Sequence, residues 1–132
     1  MAIALNKFNA ILLDLSASDS ILRLRLKAVN ADSSLYVLLL DNKKNLESYL
    51  NKQITLGFKE SAVLVAKNTQ NAQNTLKAQI LEINTDGFFA RLKLVCDFGE
   101  FSTLINAAFI DEFKKGDFVD CAILESEISL FL

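Results

Sequence analysis

The chain has 132 residues, of which 52% are hydrophobic and 23% are charged, and its mean hydropathy is +0.28. This composition excludes an intrinsically disordered chain, and no apolar run approaches the ~20 residues that a membrane span needs. The net charge of -2 and the isoelectric point of about 5.1 argue against a broadly basic nucleic-acid-binding protein.

The sequence contains no histidine, which removes the usual general base and the commonest zinc ligand. Its two cysteines, Cys96 and Cys121, have no second pair that could complete a metal site, and we interpret both as small buried apolar residues. We therefore expect a binding or assembly protein rather than an enzyme, with no metal centre. The N-terminus lacks the pattern of a signal peptide, so we expect a cytoplasmic protein.

The first half predicts five short strands with one short helix before the fourth. The clearest strand alternates leucines with Arg23, Arg25 and Lys27, which predicts an apolar inner face and a basic, solvated outer face. An outer face that contacts phosphate is the alternative. The predicted strands are 8–15, 22–28, 35–40, 53–58 and 63–66, and the predicted helix is 43–50.

The second half predicts the same order of elements. Thr85-Asp86-Gly87 follows the first predicted strand of this half and indicates a tight hairpin turn. Lys114-Lys115-Gly116 is typical of a helix end, because basic residues favour the last turn and glycine stops it. The predicted strands are 76–83, 90–96, 100–105, 118–123 and 128–131, and the predicted helix is 107–113.

The two halves align when the chain is shifted by about 68 residues. Asn6 then aligns with Asn74, Leu13 with Leu81, and Arg23 with Arg91. We predict two domains, 1–66 and 72–132, joined by a polar linker at 67–71. Five strands and a short helix per copy predict an all-β protein built of two tandem OB-like Greek-key barrels.

Each copy is close to the lower size limit for independent stability. A chain this apolar, divided into units this small, retains hydrophobic surface that the units cannot bury alone. We therefore predict a homo-oligomer, either a dimer or a trimer.

Three segments of the sequence carry a family resemblance. Residues 71–78, Asn-Ala-Gln-Asn-Thr-Leu-Lys-Ala, resemble the Ser-Ala-Arg-Asn-Gln-Leu-x-Gly opening of the molybdenum–pterin-binding (Mop) or TOBE domain of the molbindin family. Residues 59–64, Lys-Glu-Ser-Ala-Val-Leu, resemble that family's Lys-Ala-Ser-x-Val-Ile element. Residues 113–119 look like its Leu-x-x-Gly-Asp-x-Val segment. The resemblance covers nearly the whole chain as a tandem pair of domains.

The resemblance implies a protein that binds molybdate or tungstate at sites between domain copies, for storage, buffering or sensing. A tetrahedral dianion requires several convergent N–H and O–H donors, preferably with a cation. The candidate oxyanion-binding residues that the resemblance implies are Lys59, Ser61, Asn71, Gln73, Asn74, Asn6, Asn106 and Ser126.

The chain departs from the family pattern in ways that leave alternatives open. Gln73 replaces the family arginine, and Leu124 stands at the lysine position of the second copy. Glu60, Glu125 and Glu127 replace small residues, and each would repel a dianion if it pointed into a site. The alternative is a structural or regulatory TOBE-type module that has lost oxyanion binding. An OB-fold nucleic-acid binder has less support, because the stacking tyrosine or tryptophan platform is missing.

Overall fold

The computed structural model describes residues 3–66 and 74–132, and within these ranges it contains ten strands in two antiparallel sheets. The predicted all-β class with curled, OB-like barrels is confirmed. The predicted linker at 67–71 lies outside the described residues. The strands are β1 Leu5–Ser18, β2 Ile21–Ala28, β3 Ser34–Leu40, β4 Gln53–Lys59, β5 Val63–Ala66, β6 Thr75–Asp86, β7 Phe89–Cys96, β8 Gly99–Asn106, β9 Phe118–Ile123 and β10 Ser129–Phe131.

The helical segments are shorter than predicted. The first is a single α-helical turn, α1 Lys44–Glu47, held by the buried Leu46 and followed by Asn51 in a left-handed conformation. The second is a 3₁₀ helix, Ala107–Glu112. Two further 3₁₀ turns, Glu60–Ala62 and Glu125–Glu127, were not predicted because three residues are too few for a helical period. None of the described helices is long and apolar enough to cross a membrane.

The first strand of each half is longer than predicted because it bends and serves two partners. The β1–β2 register shifts between Leu12 and Asp14, and the β6–β7 register shifts between Ile80 and Glu82. A bulge at this position bends the strand, so that one end pairs with the second strand of its half and the other end with the fourth. The bulges surround Leu13 and Leu81, two residues that the sequence repeat aligns.

The two sheets exchange their last strands. The strand order is β10-β4-β1-β2-β3 in the first sheet and β5-β9-β6-β7-β8 in the second. Thus β5, from the first half, pairs with β9, and β10, from the second half, pairs with β4. The Phe131 ring of β10 covers Gly57 of β4 so closely that an added Cβ would lie 2.6 Å from its Cε2 atom. Each sheet is therefore completed by the other half of the chain.

Four phenylalanines fill the space between the barrels. The ring centroid of Phe8 lies 5.4 Å from those of Phe58 and Phe98 and 5.8 Å from that of Phe101. Aromatic pairs at these separations bury large apolar areas and prefer edge-on or offset geometry. One continuous core therefore spans both barrels.

Candidate functional site

The two 3₁₀ turns lie where the chain crosses from one sheet to the other. Glu60–Ala62 connects β4 of the first sheet to β5 of the second, and Glu125–Glu127 connects β9 back to β10. They carry Ser61 and Ser126, the two hydroxyls that the sequence predicted for oxyanion binding, and both residues are exposed. The two crossing turns thus place both serines between the barrels.

Ser61 and Asn106 line the same cleft, which has a volume of about 490 Å³. The cleft lies between β5 and β8, the two outer strands of the second sheet, and an outer strand offers backbone N–H groups that no neighbour fills. The Asn106 Oδ1 atom accepts a hydrogen bond from the Ala108 N–H at 2.9 Å, which leaves its amide NH₂ as the donor. Two predicted site residues therefore meet at one cleft.

The other predicted residues are more scattered. Lys59 is exposed at the end of β4, one residue before the turn that carries Ser61. Ser126 lies on the second crossing turn, in the other half of the molecule. Asn71 and Gln73 lie outside the described residues. The grouping of these residues around an oxyanion stays a prediction.

Asn6 and Asn74 are buried and hold the barrels together. The Nδ2 of Asn6 donates to the Ser102 carbonyl and its Oδ1 accepts from the Ser102 N–H, both at 2.8 Å. Asn74 makes the same two hydrogen bonds with the carbonyl and N–H of Tyr36, both at 2.7 Å. Each asparagine thus binds an outer strand of the opposite sheet. Each side-chain NH₂ retains a second N–H, and a contact of either with an oxyanion stays a prediction.

Sequence reasoning missed the most enclosed charged group of the described chain, Glu60. Its side chain has no exposed surface, and four donor atoms converge on its carboxylate. Arg91 donates from Nη2 to Oε1 at 2.6 Å and from Nε to Oε2 at 2.9 Å. The Ala4 N–H donates to Oε1 and the Ser102 hydroxyl donates to Oε2, each at 2.7 Å.

These contacts set the ionisation of Glu60. Burial raises the pKa of the carboxyl, but the hydrogen bonds from Arg91, Ala4 and Ser102 outweigh burial and lower the pKa below its ordinary value. The same pairing raises the pKa of Arg91. Both groups are therefore charged at neutral pH, and Glu60 faces arginine rather than the cleft beside Ser61.

Arg23 and Glu125 form the corresponding pair in the other half. Arg23 donates from Nε and Nη2 to Oε1 of Glu125 at 2.9 and 2.7 Å, and its guanidinium lies 4.3 Å from the Tyr36 ring centre. Arg23 lies on the outer face of its strand, as predicted, and its side chain is 42% exposed, but the prediction did not include this ion pair. The repeat aligned Arg23 with Arg91, and this matched pair was the signal in the sequence that could have revealed both contacts.

No protein-family model and no curated protein matches the sequence. Among solved structures, the chain is similar to that of ModG, described as a cytoplasmic molybdate-binding protein and solved with molybdate bound. The TM-score is 0.85 at 18% sequence identity, and the similarity covers 96% of this chain and 95% of ModG. The chain therefore has the fold of ModG over nearly its whole length.

Proposed function

We propose that this protein binds molybdate or tungstate in the cytoplasm and stores, buffers or senses it, without catalysing a reaction. The observation that carries the proposal is the structural similarity to ModG over the whole tandem architecture. The residues that resemble the Mop motifs supply the second line of support. Lys59 and Ser61 lie together at one crossing between the barrels.

The cleft beside Ser61 offers the neutral hydrogen-bond donors that an oxyanion site needs. The Ser61 hydroxyl, the Asn106 amide and backbone N–H groups of outer strands are the neutral donors that a tetrahedral dianion accepts. Lys59, which directly precedes the turn that carries Ser61, supplies the cation. We propose that Asn71 and Gln73 of another domain copy complete this donor set, with Asn6, Asn74 and Ser126 contributing at the equivalent positions.

We also propose that the protein is a homo-oligomer, a dimer or a trimer. Several large apolar side chains are exposed, among them Phe88 at 87%, Leu40 at 83% and Phe118 at 75%. Leu64 is also exposed and lines the same cleft as Ser61. A second copy that covers these groups would exclude water from them and bring further donors to the cleft.

A structural or regulatory module without a small ligand is the second candidate. Glu112 lines the cleft beside Ser61, and a carboxylate there repels a dianion. The amides of Asn6 and Asn74 are already engaged in contacts between the barrels. These observations favour a protein in which the residues that resemble the Mop motifs hold the two barrels together and bind no oxyanion.

Native mass spectrometry with and without molybdate separates the two candidates. We expect an oligomer whose mass increases by whole molybdate units, and calorimetric titration with molybdate, tungstate and sulfate then ranks the ligands. An oligomer that gains no mass at millimolar molybdate or tungstate would favour the assembly module. A monomer that binds nothing would refute both the proposed site and the proposed assembly.

A further inference from the structure

The recess around Glu60 has the composition of an anion receptor. Its donors come from three separate segments: the Ala4 N–H precedes β1, Arg91 lies on β7 and Ser102 lies on β8. A guanidinium with additional N–H and O–H donors is the set that proteins use to bind carboxylates and other small oxyanions. Here the bound anion is a side chain of the same protein.

The backbone that carries two of the donors is held in place independently of the Glu60 side chain. Arg91 and Ser102 lie on neighbouring strands of one sheet, and the peptide groups of Ser102 are bound on both sides by Asn6. A fixed donor set binds its anion with less loss of conformational freedom than a mobile one. The recess should therefore keep its shape when the carboxylate is removed.

The recess also has access to solvent. A cleft of about 360 Å³ reaches the same donors from outside, and its lining includes Ala4, Arg91, Ser102 and Lys93 together with the carboxylates of Glu82 and Glu100. The Arg91 side chain is 31% exposed although its Glu60 partner is completely covered. A small anion could thus reach the guanidinium without opening the barrels.

We propose that Ala4 N–H, Arg91 and Ser102 form an anion-binding site between the barrels, which the Glu60 carboxylate occupies as a built-in ligand. In the native protein this site is closed to external anions, and its occupation holds the turn that carries Ser61 and follows Lys59. Without the Glu60 carboxylate, the site accepts a small carboxylate from solution. This inference does not depend on molybdate binding.

The matched probe is acetate. Glu60→Ala deletes a CH₂–COO⁻ fragment, and acetate supplies the same carboxylate with a methyl group. Thermal unfolding is measured in acetate, in propionate, which is one methylene larger, and in chloride at equal ionic strength. We expect acetate at about ten times its dissociation constant to raise the Tm of Glu60→Ala by roughly 3–6 °C relative to chloride.

Three control proteins define the result. We expect no acetate-specific shift in the wild type, in Glu125→Ala, which removes the corresponding carboxylate of the other half, or in the double variant Glu60→Ala/Arg91→Met. We expect a smaller shift with propionate than with acetate. Equal Tm values of Glu60→Ala in acetate and chloride, or an equal acetate shift in the double variant, would overturn the proposal.

The same variant remains informative if it is recovered unfolded. It is then refolded in acetate or chloride, and the β-sheet signal in circular dichroism is compared. Recovery in acetate alone supports the built-in ligand, and equal recovery overturns it. The probe is acetate, so the result does not depend on molybdate binding. Acetate can stabilise Glu60→Ala in a protein that binds no molybdate, and it can have no effect in one that does.

Discussion

Asn6 and Asn74 make the same contact from opposite halves of the molecule: each side-chain amide binds both the carbonyl and the N–H of one residue on an outer strand of the other sheet. Their partners are Ser102 on β8 and Tyr36 on β3. Each contact fixes the position of that strand relative to the opposite barrel. The two asparagines therefore fix the position of one barrel relative to the other. The sequence repeat thus places an equivalent contact in each half of the interface.

Asn6→Ala and Asn74→Ala should each destabilise the protein. Each substitution leaves a partly buried N–H and carbonyl without their side-chain partner, which typically costs about 1–3 kcal/mol. Asn9→Ala is the matched control, because Asn9 is exposed and its Oδ1 accepts a hydrogen bond from the Thr55 hydroxyl rather than from the opposite barrel. Urea unfolding measures all three. Losses no larger than that of Asn9→Ala would show that these contacts do not stabilise the interface.

Lys59→Ala should weaken molybdate or tungstate binding by roughly tenfold to a hundredfold, because it removes the cation of the proposed site. Leu124→Ala is the matched control at the corresponding position of the second copy. Leu124 is 70% exposed, so its replacement should change neither binding nor stability much. Calorimetric titration measures both variants. An affinity of Lys59→Ala equal to that of the wild type would remove Lys59 from the site.

The stability difference between the wild type and Glu60→Gln should depend on pH. The folded protein holds the pKa of Glu60 below its ordinary value of 4.5, so the carboxylate contributes its stability in full above that pH. This contribution is lost as the pH falls below 4.5 and through the folded pKa. We expect the two unfolding curves to differ at pH 7 and to converge in acid. A difference that stays constant from pH 7 to pH 3 would contradict this.

Cys121 should resist thiol reagents in the folded protein. It has no exposed surface, and burial raises its pKa to about 12, so that at pH 8 only about one thiol in ten thousand is ionised. Cys96 is half-buried and should react first, although burial also raises its pKa. Labelling followed by mass spectrometry identifies the modified residue. Equal labelling rates of both thiols under native conditions would refute this expectation.

Gly57→Ala should weaken the pairing of β10 with β4. The new methyl group would lie 2.6 Å from the Phe131 ring, which must move aside. We expect a loss of about 1 kcal/mol, near the lower end for overpacking because Phe131 is partly exposed. The double variant with Phe131→Ala should lose less than the sum of the two single variants. Additive losses would show that the ring does not cover Gly57 in solution.

The sequence by itself determined the strands, because alternation of period two and turn residues are local signals. The predicted strand 63–66 has the same bounds as β5, and 118–123 has the same bounds as β9. It also determined the repeat, including Asn6 with Asn74 and Arg23 with Arg91. The all-β class with OB-like barrels that the sequence predicted is likewise confirmed.

Only the tertiary structure decided which half each strand joins. The exchange of β5 and β10 leaves the local pattern of both strands unchanged, because an apolar strand can pair with either barrel. It also decided the role of Glu60, whose partners Arg91, Ser102 and Ala4 are distant in sequence. From the sequence alone, the Glu60 carboxylate is expected to repel an oxyanion. In the folded protein four donors converge on it, so that Glu60 is itself the anion bound at the interface.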